Sequence, residues 1–280
     1  MSNIYGIDVS AYNGVIDWKK VKAAGCGHAV LNINTKNLTV DKQFADNIKG
    51  CKAHGIPYGV YRYAYESTEA AAKKAAQAVV ALLKQYDAAP GTVVWWDVED
   101  ASIKSAAKTT LTASILAAQK VVEAAGYGFG VYCGLYWYNS VLQTDKLTCP
   151  FWIAAYGTNP VTAFGTAPAR KAPTIKHTLW GWQYGSKGKV AGISGYVDLN
   201  QIYGIASAVS YPVPARILRK GDKGEDVKWV QSQLNAEGAG LTVDGSFGPV
   251  TEAAVKEYQL RHGLAVDGIC GPKTRAKMLA

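Results

Sequence analysis

The 280 residues are 49% hydrophobic and 18% charged, an ordinary globular balance with enough apolar material for one large domain and a small one, or two medium ones. A formal charge of +9 attracts polyanions in general, yet the basic residues are scattered and no dense Lys/Arg run occurs, so no nucleic-acid partner is expected. No stretch of about 20 apolar residues occurs, so no membrane insertion is expected.

Residues 1–8 contain neither a basic nor an apolar leader region, so they do not read as a secretory signal. The chain is therefore expected to be made in the cytoplasm without a signal peptide, and to need a separate release step if it acts outside. Residues 4–9 predict a strand, 18–24 a short helix and 28–34 a second strand. Residues 41–54 place Phe44, Ile48 and Cys51 on one helical face, and 57–63 give a third strand. Ser67 is the expected cap of an Ala-rich helix over 68–86. Residues 92–97 form a fourth strand, apolar on both faces. A helix over 105–125 ends at Gly126, followed by a fifth strand over 128–133 and a short helix over 135–142.

The pattern then changes. Residues 150–156, 178–184 and 195–199 read as strands with no good helix between them. Strands alternating with helices imply a parallel sheet. The expectation is an α/β fold: an irregular TIM-like barrel, about (β/α)5 followed by three strands, compact beside the roughly 250 residues of a regular barrel.

Residues 207–215, with Pro212 and Pro214, read as a stiff linker between domains expected over 1–206 and 216–280. The second domain holds an internal repeat: Leu241, Val243, Asp244, Gly245, Gly248, Pro249 and Thr251 recur as Leu264, Val266, Asp267, Gly268, Gly271, Pro272 and Thr274. Each Asp-Gly marks a turn, and each Gly-Pro a helix start with proline in its first turn. With helices over 227–235 and 251–262, this predicts a small all-α module.

The five cysteines (Cys26, Cys51, Cys133, Cys149 and Cys270) are odd in number and fit no C-x-x-C spacing. Buried free thiols are expected. The four histidines (His28, His54, His177 and His262) are far apart, so no metal site and no cofactor are expected.

Seventeen Tyr and eight Trp stand against five Phe. Residues with a flat apolar face and a polar tip suit a sugar-lined cleft, and equally a core or a barrel rim. The fourth strand runs straight into acids at Asp97, Glu99 and Asp100. Residues two apart on a strand share a face, so Asp97 and Glu99 point together while Val98 points away. The C-terminal strand ends of a parallel barrel carry its active site. Two close carboxylates raise one another's pKa, which gives a general acid near neutrality and meets the need of glycoside hydrolysis. Asp8 ends the first strand and Asp198 the last, and those strands neighbour one another in a closed barrel. Tyr61, Arg62 and Tyr63 at the end of the third strand, Trp152 and Tyr156 around the sixth, and Trp182 and Gln183 at the end of the seventh are candidate sugar contacts.

The motifs Gly6-Ile7-Asp8-Val9-Ser10, Asn13 and Asp17-Trp18, then Gly55-Ile56-Pro57 with Gly59 and Tyr61, then Trp96-Asp97-Val98-Glu99, resemble the family 25 glycoside hydrolases, the Chalaropsis-type lysozymes. Phe151-Trp152-Ile153-Ala154 with Tyr156, Trp182-Gln183-Tyr184, and Val197-Asp198-Leu199-Asn200 continue the resemblance, which covers residues 3–204. Residues 216–280 resemble the three-helix peptidoglycan-binding module of wall hydrolases, through Leu218, Gly221, Gly224, Asp226, Val227 and both repeat copies.

The resemblance implies a retaining muramidase, a phage endolysin or an autolysin, that cuts the β-1,4 bond after N-acetylmuramic acid. Glu99 is then the proton donor. Asp97 steadies the acetamido group as the substrate supplies its own nucleophile, and Asp8 and Asp198 set geometry and charge. A covalent enzyme intermediate is the other route. Asn200 joins the expected substrate contacts, bacterial peptidoglycan is the expected partner, and action on the wall follows holin-type release or lysis.

The chain departs from the family after its second strand, where Asn32 or Asn34 stands in place of an expected charge before Lys36, and at Tyr196, where a small polar residue is usual. A hydrolase of chitin-like polymers shares the Asp-x-Glu logic without explaining the repeat. A non-catalytic wall-binding protein would be expected to have lost one of the four acids.

Overall fold

The computed structural model describes residues 4–203, 213–236, 239, 241 and 243–279. The chain divides into two compact units, the second beginning near residue 206. Residues 207–212 of the expected linker lie outside the described residues.

The first unit takes its strands and helices in the predicted order. They are β1 (Ile4–Val9), α1 (Trp18–Ala23), β2 (His28–Asn32), α2 (Phe44–Ala53), β3 (Tyr58–Tyr63), α3 (Glu69–Gln85), β4 (Val93–Asp97), α4 (Lys108–Ala124), β5 (Gly128–Gly134) and α5 (Leu135–Ser140). Four strands follow: β6 (Phe151–Ala154), the two-residue β7 (Thr162–Ala163), β8 (Leu179–Lys189) and β9 (Val197–Ile202). Hydrogen bonding runs β6-β5-β4-β3-β2-β1-β9-β8, and β6 pairs with β8, so eight strands close a ring and β7 lies beside β8 outside it.

Strands β1 to β6 are parallel to their neighbours, and β8 is parallel to β6. Strand β9 is antiparallel to both β8 and β1, because only a short connection joins β8 to it. Asp198 is therefore near the beginning of its strand rather than its end.

Three further boundaries differ from expectation. The α3 cap is Thr68, not Ser67: the Thr68 hydroxyl accepts from Ala71 N. Helix α4 starts at Lys108 rather than 105, leaving room for a short 3-10 turn over Ala101–Ile103. Strand β8 continues to Lys189, so Trp182 and Tyr184 are inside it.

Aromatics fill the barrel interior. Trp95, Trp152 and Trp180 cluster with Val30, Tyr132 and Ile202. Trp95 and Trp180 rings lie 4.3 Å apart and Trp95 and Trp152 rings 6.0 Å apart. Gly130 makes this possible, since a Cβ there would sit 2.3 Å from the Trp95 ring. Truncating any of these tryptophans to alanine would cost roughly 3–5 kcal/mol. The indoles plug the barrel beneath the acids and give the mouth a dry floor. All five cysteines are free and buried. No helix among the described residues is long and apolar enough to cross a membrane.

The second unit holds α6 (Glu225–Ala236), α7 (Pro249–Arg261) and α8 (Pro272–Met278). Gly248 and Gly271 precede α7 and α8, each with proline in the first turn. Its core joins Leu218, Val227, Trp229, Val230, Leu234, Phe247, Val255 and Tyr258. The two repeat copies are built alike. Gly245 and Gly268 take φ of +74° and +73°, a left-handed turn that favours glycine. Each turn closes on a buried glutamine. Gln231 Nε2 donates to Asp244 Oδ1 at 2.8 Å and its Oε1 accepts from Gly245 N at 2.9 Å. Gln259 does the same with Asp267 and Gly268 at 2.8 and 2.9 Å.

Candidate active site

The mouth is built where the strands end. Asp97 closes β4 and aligns with Tyr63 on β3 and Tyr132 on β5. It is 5% exposed, and its Oδ1 has no hydrogen-bond partner among the described residues. Glu99 follows two residues later and is half-buried. On the far side, Asp8 near the end of β1 stands directly across from Asp198 in antiparallel register. Parallel strands bring Asp97 and Asp8 to the same end; the reversed β9 brings Asp198 there from its own beginning.

A network beneath the surface fixes Asp8. Its Oδ2 accepts from Asn200 Nδ2 at 2.7 Å and from Gln183 Nε2 at 2.9 Å. Asn200 Oδ1 in turn accepts from Trp152 Nε1 at 2.8 Å. Gln183 Oε1 accepts from the Tyr132 hydroxyl at 2.7 Å and also from the Tyr156 hydroxyl. The plug and the mouth are thus one connected structure.

All four acids are held above the ordinary carboxylate range. Burial pushes Asp97 well up, the charges of Glu99 and Asp8 add to it, and the Arg62 guanidinium opposes it. Burial also raises Glu99, followed by the charge of Asp8, while Tyr132 lowers it by hydrogen bonding. Burial raises Asp8 against the donors Asn200 and Gln183. Burial and then the neighbouring Asp8 raise Asp198. The phenols of Tyr61, Tyr63, Tyr132 and Tyr156 are raised too, first by burial and then by charged neighbours, so they stay neutral donors. Like charges crowded in a dry cleft favour protonation, the state a general acid requires. No group of three or more His, Cys, Asp or Glu among the described residues is arranged to hold a metal ion.

The candidate sugar contacts divide. Tyr61, Tyr63 and Tyr156 are partly open to solvent. Trp152, Gln183 and Asn200 are at most 3% exposed, so they support the mouth from below rather than offer a surface. Arg62 is fully buried. The β3 pleat turns it away from Tyr61 and Tyr63. Its guanidinium pairs with Glu66 Oε1 at 2.6 Å and donates to the Tyr63 carbonyl.

Trp182 is displaced by a bulge. Trp152 aligns with Gly181, but the preceding Phe151 aligns with Leu179, leaving Trp180 as an extra residue on β8. The bulge lets both Trp180 and Gln183 serve the interior. Trp182 is instead 2% exposed and donates from Nε1 to Ala155 O at 2.9 Å. Tyr132 and Glu66 were missed from the sequence. Strand alternation was the available signal for Tyr132, which lies two residues before the end of β5 in the same row as Asp97; Glu66 had none.

A plugged barrel whose mouth gathers four acids and several neutral phenols has the form of a glycoside hydrolase. The model of the glycosyl hydrolases family 25 matches residues 7–193, and the chain belongs to that family. A second model, described as a putative peptidoglycan binding domain, matches residues 223–278. The "Autolytic lysozyme" of Clostridium acetobutylicum is 29% identical over 263 residues, spanning 92% of this chain and 74% of that protein. The catalytic domain of endolysin ply40, from bacteriophage P40 of Listeria monocytogenes, superposes with a TM-score of 0.60 at 23% identity, over 72% of this chain and 94% of that one. The modular autolysin LytC of Streptococcus pneumoniae, solved with a synthetic peptidoglycan ligand, is 30% identical with a TM-score of 0.59, over 72% of this chain and 47% of that one. The protein is thus a glycoside hydrolase of the lysozyme type joined to a peptidoglycan-binding domain.

Proposed function

We propose that the barrel cuts the β-1,4 bond after N-acetylmuramic acid with retention, with Glu99 as general acid. The observation that carries this reading is the Asp97/Glu99 pair: one carboxyl half-open and raised, the other buried with a free acceptor oxygen.

Glu99 protonates the glycosidic oxygen as the bond from C1 to that oxygen breaks. The carbonyl oxygen of the substrate's acetamido group then bonds to C1. Asp97 Oδ1, which has no hydrogen-bond partner among the described residues, accepts from the acetamido N–H. The cyclised sugar carries positive charge beside the ionised Asp97, an interaction stronger at the transition state than in the ground state. Water adds to C1 from the vacated face, giving its proton to Glu99 and reopening the acetamido ring. Asp8 and Asp198 set the local charge. Tyr61, Tyr63 and Tyr156 line the sugar path. In the covalent alternative Asp97 attacks C1 itself and forms a glycosyl ester that water then hydrolyses with Glu99 as base.

Residues 216–280 are proposed to anchor the enzyme to the wall, and the linker to span 207–215. Relatives named as endolysin, autolysin and spore cortex lytic enzyme support two settings, a phage endolysin or an autolysin or spore-lytic enzyme; we propose that the first reaches the wall after holin-type release and the second after lysis. Mass spectrometry of digested peptidoglycan tests the chemistry. Reducing ends on muramic acid are expected; reducing ends on glucosamine, or freed peptides, would exclude a muramidase.

A further inference from the structure

One rim of the mouth carries a positive charge that the hydrolytic scheme does not use. After β2 the chain makes a tight hairpin. Asn34 bridges Val40, Thr35 N donates to Thr39 O at 2.8 Å, and Leu38 N donates to Thr35 O at 3.0 Å. The Thr35 and Thr39 hydroxyls meet at 2.7 Å. Lys36 is exposed in the turn this hairpin closes. Its Nζ lies 4.8 Å from the centre of the Tyr65 ring, a cation–π distance that restrains a side chain otherwise free to wander.

Tyr65 is itself well fixed. The Tyr63 ring is 5.0 Å away, the Arg62 guanidinium carbon is 5.5 Å from the ring centre, and Tyr65 N donates to Glu66 Oε2 at 3.0 Å. Tyr63 aligns with Asp97 across β3 and β4, which puts the assembly next to the reacting acids. The carboxylate of Asp100 feels the same ammonium, and it is held by the backbone N–H and hydroxyl of Ser102 and by Tyr63 without closing to an ion pair. Lys36 forms no ion pair within 4 Å among the described residues.

We propose that Lys36, held over Tyr65, is a recognition site for a carboxylate on the acyl branch that alternate sugars of the glycan carry. The inference rests on the muramidase reading and names which part of the polymer the mouth recognises. Four acids make the mouth hostile to an anion. A branched acidic glycan enters only if its carboxylate lies outside the acid cluster, opposite a fixed cation. Flat tyrosines beside Lys36 suit the sugar face from which the branch leaves. An unbranched neutral glycan gains nothing from this arrangement, so the rim separates wall polymer from chitin-like polymer. Two sources share the chemistry: the lactyl carboxyl of the sugar itself, and the acidic residues of an attached peptide stem.

The test measures binding, so it does not depend on turnover. Dissociation constants of the full chain and of Lys36→Met, both in a Glu99→Gln background, are measured by calorimetry for three sets of wall-derived glycan oligomers. These carry stems with free carboxylates, the same stems amidated, or no stem and a free lactyl carboxyl. The C-terminal module is present in both proteins and cancels in the comparison. Lys36→Met is expected to weaken binding to the free-carboxylate stems about tenfold, the scale of a lost charge-assisted hydrogen bond. It should change binding to the amidated stems less than about twofold, and Lys36→Arg should restore most of the loss. The lactyl carboxyl is free only where no stem is attached, so a loss confined to the stem-free oligomer places the contact at the lactyl group, a loss confined to the free-carboxylate stems places it on the stem, and a loss on both shows a site that takes either carboxylate. Equal loss on free and amidated stems, or no loss on any oligomer, overturns the proposal. Cleavage by the chain with Glu99 intact, assayed on the same oligomers, judges the muramidase reading separately.

Discussion

The acids of the barrel mouth and those of the C-terminal unit are under opposite pressures. Asp8, Asp97, Glu99 and Asp198 are all raised, with burial the leading cause. Asp222, Asp244, Glu252 and Asp267 are all lowered, each led by hydrogen bonds from neighbouring donors. In the mouth, burial outweighs the donors that reach these carboxylates. In the C-terminal unit the carboxylates lie near the surface and are paired, Asp222, Asp244 and Asp267 with turn N–H groups and Glu252 with Lys256 and Lys220. A carboxylate is structural or chemical according to how completely the fold pairs it.

The comparison breaks first at Glu99. Glu99→Gln should lower turnover of cell-wall polymer on the order of a thousandfold, with wall sedimentation unchanged, and Asp97→Asn should lose most activity as well. Near-normal rates in Glu99→Gln would remove the functional side of the contrast.

Next is the paired exception within the barrel. Arg62→Met leaves Glu66 buried without its cation and should destabilise the barrel by about 3–5 kcal/mol, read from denaturant unfolding. The double change Arg62→Met with Glu66→Leu should recover part of that. If the single change is silent, the pair does not hold the β3 end.

In the C-terminal unit, Gln259→Leu leaves the buried Gly268 N–H without its acceptor. The unit should lose about 2–4 kcal/mol, while activity on soluble glycan fragments stays intact. Equal stability would mean that the turns hold without their clasp.

The smallest effect concerns pH. A raised folded-state pKa contributes stability that is fully present below the ordinary carboxylate range and is lost as pH rises through the folded value, about 8 for Asp198. Asp198→Asn should therefore raise the barrel's thermal midpoint near pH 8 by roughly 3 °C and leave it unchanged near pH 4, at a cost in activity. The lowered acids of the C-terminal unit carry the opposite sign, losing stability as pH falls. A barrel midpoint that rises with pH would contradict the assignment.

Much of this was legible in the sequence because strands impose a period of two and barrels place their chemistry at strand ends. Asp8, Asp97 and Glu99 could be read that way, and the paired Asp-Gly and Gly-Pro steps announced the helical unit. The errors have definite causes. Reading Tyr61, Arg62 and Tyr63 as one surface ignored the pleat that sends Arg62 to the opposite side. The burial of Trp182 could not be read because the bulge at Trp180 shifts the alternation of β8, and a bulge leaves no fixed trace in composition. The direction of β9 depends on the short β8–β9 connection, so Asp198 was assigned to the wrong end of its strand. Gln231 and Gln259 were invisible as a pair because each lies a different distance before its turn: Gln231 is bonded across 13 residues to Asp244, Gln259 across 8 to Asp267.

The reversed last strand also bears on synthesis. Asp8 leaves the ribosome 175 residues before its bonding partner Gln183 and 192 before Asn200, and its facing acid Asp198 also arrives only with β9. Until then the edges of β1 and β6 are open, and a nascent chain holds an incomplete mouth. Closing a ring between its earliest and latest strands is a long-range step, slow by the same entropy that makes distant contacts costly. The four-acid mouth is therefore complete only once β8 and β9 have been made. The repulsion among the four acids is deferred until the donors that contain it are in place.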